Sequence, residues 1–170
     1  GICPSTEANL GDGIFDMTAW RSQGGRWGIG SDSHACVNAA EELMLLEYSQ
    51  RLATRQRNVL ARDGEQDVAT AMTLDTVLGG AQASGRAIGG LALGQQADFV
   101  VLDAQHPLLR ELPTPQAMLS AHVFASHRRS AVGGVWVGGR LRVHAGTHPL
   151  AEETSQAFIA ARSELLSSEP

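Results

Sequence analysis

The order of short apolar runs and helical patterns in the first 84 residues constrains the fold more than any other feature. One apolar run ends at Ile2 and Cys3, where Pro4 halts it, and a second, "RWGIG", spans residues 26–30. A short helical pattern at 14–23 separates the two runs. Strands that alternate with helices are typical of α/β folds whose strands run parallel. The sequence therefore predicts an α/β fold.

Three further stretches of this first part carry local signals. Residues 5–13, "STEANLGDG", are rich in Gly and Asn and predict a loop. Asn38 can cap a long helix, because Glu41 stands three residues later and completes a capping-box pattern. Another helix is predicted over 73–84, although its interior Gly pair at 79–80 would weaken an isolated helix. We therefore expect that pair to pack closely against a neighbour.

The sequence changes in character near Ala87, and strand patterns dominate after that point. Residues 99–102 form a continuous apolar strand, and two alternating runs flank Gly138 and Gly139, which is a strong hairpin signal. Residues 149–166 predict an amphipathic helix. Three clear strands are too few for an independent sandwich. We therefore expect this β part to lack its partners.

Composition excludes several classes of function. The net charge of −5 and the scattered arginines argue against a nucleic-acid surface, which would show a basic face. No apolar run approaches the about 18 residues that a membrane span needs. From charge and from run length together, neither nucleic acid nor a membrane is a predicted partner. The two cysteines, Cys3 and Cys36, have no metal-type spacing, and no secretory signal is visible. This pattern predicts a cytoplasmic protein.

Asp32 is the first candidate for a functional residue. It stands just past the second apolar run, and functional groups in parallel α/β folds lie at the carboxyl ends of strands. A carboxylate there can ligate a divalent metal or take a proton from water. Alternatively, Ser31, Asp32 or Ser33 simply caps the following helix, although Asn38 is better placed for that role. The residues by themselves leave both interpretations open.

The histidines and Cys36 give weaker signals. His34 is either a second site group or a hydrogen-bonding loop residue. The remaining histidines show neither an H-x-H nor an H-E-x-x-H pattern, and a surface or structural role is predicted for each: His106, His122, His127, His144 and His148. Cys36 has no obvious base near it in the sequence, which disfavours a nucleophilic role.

Two motifs together resemble the C-terminal part of the amidohydrolase superfamily. They are "GSDSH" after a short strand and "GxxALGQQADFVVLD" further along. The resemblance implies the last part of a TIM-like (β/α)8 metal-dependent hydrolase barrel over 1–87, a partial β-sandwich over 88–146 and a closing helix over 147–170. It also implies that Asp32 is both a metal ligand and a proton shuttle. The implied metal is one zinc ion, or another divalent metal in its place.

Within that superfamily the chain is most similar to a deiminase branch. The stretches "CPSTEANLGDGIFD", "GIGSDSH" and "EELMLLEYSQRLATRQRNVL" carry this similarity, and Glu7 and Ala8 stand where related deaminases more usually read "SN". The implied reaction is hydrolysis of N-formimino-L-glutamate to N-formyl-L-glutamate and ammonia, a step of histidine degradation. The resemblance further implies a substrate pocket that includes Glu7, Asn9 and His34, a small-molecule substrate and a homodimer.

The sequence departs from the family pattern in one large respect. The H-x-H pair of the first barrel strand, the later barrel histidines and the substrate-binding arginines have no counterpart here. The chain reads as if cut from the middle of a fold, and we expect it alone neither to hold zinc tightly nor to turn over substrate. Two alternatives remain: another deaminase or chlorohydrolase of the superfamily, or a non-catalytic remnant that serves only as an interaction surface.

Overall fold

The computed structural model describes residues 1–62, 64, 67–125 and 130–167. The predicted α/β fold is confirmed, with six helices and three strands in the described part of the chain. In chain order the elements are α1 (Pro4–Leu10), α2 (Met17–Ser22), α3 (Ala39–Thr54), α4 (Val68–Ser84), β1 (Phe99–Leu102), α5 (Pro115–Ala125), β2 (Val132–Val137), β3 (Arg140–His144) and α6 (Ala151–Ser167). The prediction for His127 lies outside the described residues.

The two apolar runs of the first part lie side by side. The Ile2 N–H donates to the Gly28 carbonyl at 3.0 Å, and the Gly30 N–H donates to the Ile2 carbonyl at 3.1 Å. These bonds form a parallel bridge between Ile2 and Ile29, which is all the regular strand structure of the two runs. The carboxyl ends of both runs therefore meet at one edge of the molecule.

The prediction of a loop over residues 5–13 is wrong for its first six residues, because α1 occupies them. Pro4 opens the helix, and Gly11 ends it in a left-handed conformation with φ of 77°. Proline at the start and glycine just past the end are strong helix-boundary signals. The Glu7 carboxylate also accepts the Cys3 N–H at 2.8 Å, which satisfies a donor that the helix start leaves open. These boundary signals outweigh the Gly and Asn content of the stretch.

Helices α3 and α4 build the core with the two apolar runs. The Asn38 side chain accepts the N–H groups of Ala40 and Glu41 at 3.1 and 3.4 Å, so the predicted cap of α3 is confirmed. Helix α4 begins earlier than predicted, since Asp67 caps it. The expected close packing of the Gly pair is also confirmed: a methyl group on Gly79 would overlap the Trp27 carbonyl oxygen. The clustered core side chains are Ile2, Met17, Trp27, Leu43, Leu46, Leu60, Val68, Ala69, Met72 and Val123.

The second part contains one antiparallel sheet in the order β1-β2-β3. Phe99 pairs with Trp136 in the register, and their rings stack with centroids 4.9 Å apart. The predicted hairpin is confirmed: Gly138 and Gly139 have φ of 57° and 72°, as a two-residue hairpin turn of the primed type requires.

Helix α5 was not predicted, whereas α6 was predicted and is confirmed. The start of α5 carries a readable signal, because the Thr114 hydroxyl oxygen accepts the Ala117 N–H at 3.1 Å and Pro115 follows the threonine. Helix α6 has no buried residue. None of the described helices is long and apolar enough to cross a membrane.

Candidate functional site

A tight turn follows the second apolar run and carries Asp32. The His34 N–H donates to the Ser31 carbonyl at 3.0 Å and closes the turn. Asp32 occupies its second position with φ of 50°, a left-handed conformation that favours glycine. A non-glycine residue held in this region is strained, and such residues cluster at functional sites.

The Asp32 side chain does not serve as a helix cap. The cap of α3 is Asn38, four residues beyond the turn. Within the described residues, the exposed Asp32 carboxylate accepts no hydrogen bond and forms no ion pair. The capping interpretation of Asp32 is therefore wrong, and its carboxylate remains available to a ligand.

Thr6, on α1, contacts the turn from both sides of Asp32. Its hydroxyl donates to the Ser31 carbonyl at 2.6 Å and accepts the His34 N–H at 3.0 Å. Only 4% of Thr6 is exposed, so water does not compete for these bonds. Thr6 thereby joins the first turn of α1 to the turn that carries Asp32.

Glu42, on α3, holds α1 in place. Its carboxylate accepts the Ser5 N–H at 2.9 Å and also the Ser5 hydroxyl. Glu42 is 2% exposed, and a buried carboxylate with well-placed donors is costly to disturb. The position of α1 is therefore fixed from the core side.

The pKa of the Cys3 thiol shows that several carboxylates lie near the carboxyl end of the first apolar run. Burial raises the pKa of the Cys3 thiol, and the negative charges of Asp32, Glu7 and Glu42 raise it further. Three carboxylates from α1, α3 and the turn thus act on one group at the carboxyl end of the first apolar run. A raised pKa keeps this thiol protonated and makes it a poor nucleophile.

The other predicted site residues lie on α1 and in the Asp32 turn, each in a different setting. The Glu7 carboxylate is engaged by the Cys3 N–H, and Asn9 is exposed near the end of α1. His34 is half-buried, and its Nδ1 accepts the Cys36 N–H at 3.2 Å. In the neutral ring this bond leaves the proton on Nε2, where it can be donated.

Sequence reasoning did not single out Thr6 and Glu42. Glu42 sits in the first turn of α3 beside Glu41, where acidic residues are common because they complement the helix dipole, so its sequence position carries no functional signal. Thr6 contacts a turn 25 residues away. A contact of that separation leaves no periodic signal in a single sequence.

The histidines of the second part lie on other elements. His106 and His148 each accept, through Nδ1, a nearby backbone N–H, from Leu108 at 3.3 Å and from Leu150 at 3.1 Å. Burial lowers the pKa of His122 on α5, and the charge of His106 lowers it further. These settings agree with the predicted structural roles.

The residues at this edge fit a zinc ion only in part. Among the described residues, no group of three or more His, Cys, Asp or Glu side chains is placed to hold a metal. Zinc sites take three or four protein ligands. Asp32 supplies an exposed carboxylate of the right chemistry for one of them, and the chain by itself does not complete the set.

Comparison with known proteins places this arrangement in a family. The fold and the strand-end acid put the chain among α/β proteins whose functional groups lie at strand carboxyl ends. The chain belongs to the amidohydrolase family, whose model matches residues 2–142. The resemblance predicted from the sequence is confirmed.

Individual relatives are similar over nearly the whole chain. Formimidoylglutamate deiminase from Pseudomonas aeruginosa is 46% identical over 166 residues, which are 98% of this chain and 36% of that protein. The crystal structure of an amidohydrolase from Brucella melitensis has a TM-score of 0.87 at 43% identity and covers 98% of this chain and 36% of its own. This chain therefore spans about a third of the length of these relatives.

A more distant structure supports the fold alone. An adenosine deaminase from Xanthomonas campestris, described with bound zinc, has a TM-score of 0.73 at 19% identity. It covers 94% of this chain and 35% of its own length. The zinc is a property of that protein.

Proposed function

We propose that this chain contributes the C-terminal third of a zinc-dependent formimidoylglutamate deiminase. The observation that carries the proposal is the 46% identity to such an enzyme over 98% of the chain, together with an available carboxylate at the shared strand end. Residues 1–87 would form the last units of the catalytic barrel, residues 88–146 part of a small β-sandwich, and residues 147–170 the closing helix.

The proposed reaction is hydrolysis of the amidine of N-formimino-L-glutamate. Zinc, when bound, acts as a Lewis acid and makes a water molecule more acidic. The oxygen of the water forms a bond to the amidine carbon, and the bond from that carbon to the departing nitrogen breaks. Asp32 accepts the two protons of the water one after the other and delivers each to the nitrogen, which leaves as ammonia. The other product is N-formyl-L-glutamate.

Three further residues are proposed to line the substrate pocket. Glu7 and Asn9 lie on α1 beside the Asp32 turn, and His34 closes that turn. The His34 Nε2 proton can be donated to a substrate oxygen. The assignment rests on their position at one edge and on the resemblance of "TEANLGDG" to the deiminase branch.

The proposal requires a larger protein for activity. One carboxylate does not close a zinc site that takes three or four protein ligands. We therefore expect the 170 residues alone neither to bind zinc tightly nor to release ammonia. A homodimeric assembly and a cytoplasmic location stay predictions of the sequence.

Asp32→Asn in the full-length protein tests the function. The substitution keeps the shape and tolerates the left-handed φ, but it removes the charge and the proton acceptor. We expect the rate of ammonia release from N-formimino-L-glutamate to fall about 1,000-fold. The matched control is Asp103→Asn, an exposed aspartate that follows β1 and should leave the rate unchanged.

Three results would contradict the proposal. Retention of most of the activity in Asp32→Asn would remove Asp32 from the chemistry. A full-length protein that releases ammonia from guanine or a related ring amine, but not from N-formimino-L-glutamate, would assign another deaminase activity. If no zinc-dependent turnover occurs with any of these substrates, the interaction-surface alternative is favoured.

A further inference from the structure

We propose that Thr6 is the positioning residue that fixes the direction of the Asp32 carboxylate. The inference rests on the proposed function, since it concerns the residue assigned there to zinc and to proton transfer. Thr6 itself contacts neither the zinc ion nor the transferred proton in this proposal. It acts through the turn that carries Asp32.

The turn needs an external support. Asp32 has φ of 50°, and this conformation is unfavourable for a residue with a Cβ atom. Strained backbone of this kind persists only where the surrounding structure determines it more than once. The bond between the His34 N–H and the Ser31 carbonyl is a first determinant, but it lies within the turn itself.

The Thr6 hydroxyl is the second determinant. Its single proton goes to the Ser31 carbonyl at 2.6 Å, and its oxygen accepts the His34 N–H at 3.0 Å. The Ser31 carbonyl precedes Asp32 in the turn and the His34 N–H follows it, so one hydroxyl bonds to the backbone on both sides of Asp32. A methyl group in place of the hydroxyl would lose both bonds and leave no path for water to the buried position.

Thr6 can hold the turn only because α1 is itself held. The buried Glu42 carboxylate accepts two hydrogen bonds from Ser5, the residue before Thr6. The β-branch of threonine also restricts its side chain to few rotamers. A continuous set of contacts therefore runs from α3 through Ser5 and Thr6 to the Asp32 turn.

The expected consequence is specific to metal and rate. If the turn relaxes, the Asp32 carboxylate points in several directions, and fewer of them suit the ion. Of the proposed pocket residues, Glu7 and Asn9 lie on α1 outside the turn, and only His34 shares it. Loss of the Thr6 hydroxyl should thus weaken zinc binding and lower kcat, and it should raise KM less than it lowers kcat.

The test uses the full-length protein with Thr6→Val and Thr6→Ser. For Thr6→Val we expect zinc affinity, measured by competition with a chelator, and kcat each to fall about 10- to 100-fold, the range found for groups that orient metal ligands. Thr6→Ser keeps the hydroxyl and should stay within about threefold of the parent in both. Thr76→Val is the control, because that hydroxyl donates only to carbonyls within α4 and should change neither quantity.

The outcomes separate this inference from the proposed function. If Asp32→Asn is inactive but Thr6→Val keeps its zinc affinity and kcat, Thr6 does not position the carboxylate and the function stands. If Asp32→Asn is active, both proposals fail. If Thr6→Val raises KM as much as it lowers kcat, Thr6 acts mainly on the substrate pocket through His34, and the inference is overturned.

A second variant covers the case in which Thr6→Val does not fold. Ser5→Ala removes the hydroxyl bond to Glu42 but leaves Thr6 in place. We expect a weakening of zinc affinity of about threefold to tenfold, the lower end of the effect of such supporting groups. An unchanged zinc affinity in a folded Ser5→Ala protein would overturn the inference.

Discussion

The chain has two regions that differ in their buried charged side chains. In the first region, residues 1–87, the buried carboxylates have several hydrogen-bond partners: Glu47 is 0% exposed and its carboxylate accepts three N–H groups. In the second region, the described residues from 88 to 167, large apolar side chains face outward. Leu141 is 46% exposed and Phe158 is 63% exposed. Among the described residues, buried charged side chains thus occur only in the first region, whereas large apolar side chains are exposed in both, since Val37 is 85% exposed.

An apolar cavity of about 920 Å³ marks the junction of the two regions. Leu43 and Val77 line it from the first region, and Phe99 and Val135 line it from the second. The difference between the two regions predicts where substitutions should change stability most. Changes in the first region disturb contacts that are already complete, whereas changes on the outer faces of the second disturb little within the chain itself.

The largest expected effect comes from Gly79. A methyl group there would overlap the carbonyl group of Trp27, which is main chain and has no rotamer to change. We expect Gly79→Ala to lower the free energy of unfolding by about 3 kcal/mol. Urea unfolding of the full-length protein measures this change.

Gly80→Ala is the matched control one residue away. Nothing lies within 4 Å of a methyl group at position 80, so only helix propensity changes. Alanine should stabilise α4 there by about 1 kcal/mol. Equal effects of the two substitutions would contradict the close packing of α4 on the Trp27 segment.

Local signals explain how much of this fold the sequence predicts. The Asn38 cap and the Gly138–Gly139 hairpin depend on residues near one another in the chain, and both are confirmed. The Gly79–Gly80 pair predicted close packing, which is confirmed, but its partner Trp27 is distant along the chain and was not predicted. The Gly and Asn content of residues 5–13 predicts a loop, but α1 forms there because Pro4 and Gly11 mark the two ends of a helix. For this segment the positions of proline and glycine predict the secondary structure correctly, whereas the amino-acid composition does not.

The site was predicted only as far as its strand-end acid. Asp32 follows directly from the position of the apolar run, and in the structure it shares a turn with His34, while its charge and that of Glu7 both act on Cys3. The support of the turn depends on Thr6, which is 25 residues distant along the chain. Tertiary contacts of this kind arise from the packing of α1 on α3, and a single sequence does not encode them in any spacing.

A middle-sized effect is expected at Glu47. Its buried carboxylate accepts the Val59 and Leu60 N–H groups, each at 3.0 Å, and the Arg51 Nε–H at 2.6 Å. An amide in its place would turn one donor toward another donor. Glu47→Gln should therefore cost about 2 kcal/mol of unfolding free energy.

The counterpart of Glu47 in the second region is Glu152. It lies on the exposed helix α6 and accepts a single bond from Gln156 at 2.9 Å. We expect Glu152→Gln to change the unfolding free energy by less than about 0.5 kcal/mol. A cost near that of Glu47→Gln would mean that α6 is covered in the full-length protein, and the contrast between the regions would then be a property of this chain alone.

The smallest expected effect is a difference in acid sensitivity between Asp67 and Asp98. Burial by itself raises the pKa of Asp67, but hydrogen bonds from the Ser120 hydroxyl at 2.5 Å and from Thr70 outweigh it, so the pKa lies below its ordinary 3.8. The Gly138 N–H and then the Gln96 amide lower the pKa of Asp98, a half-buried residue whose carboxylate lies closer to solvent than that of Asp67.

Both shifts have the same sign and therefore the same direction of pH dependence. A carboxyl group with a lowered pKa in the folded state stabilises the protein above its unfolded value of 3.8, and this stability is lost as the pH falls through the lower folded value. Asp67→Asn keeps the cap of α4 but removes the charge, at a cost of about 0.5 kcal/mol near neutral pH. Solvent screening should make the effect of Asp98→Asn smaller. We would measure the free energy of unfolding at pH values from about 5 to about 3 and expect it to depend less on pH in Asp67→Asn than in Asp98→Asn. The opposite result would mean that the aspartate of the second region contributes more than that of the first.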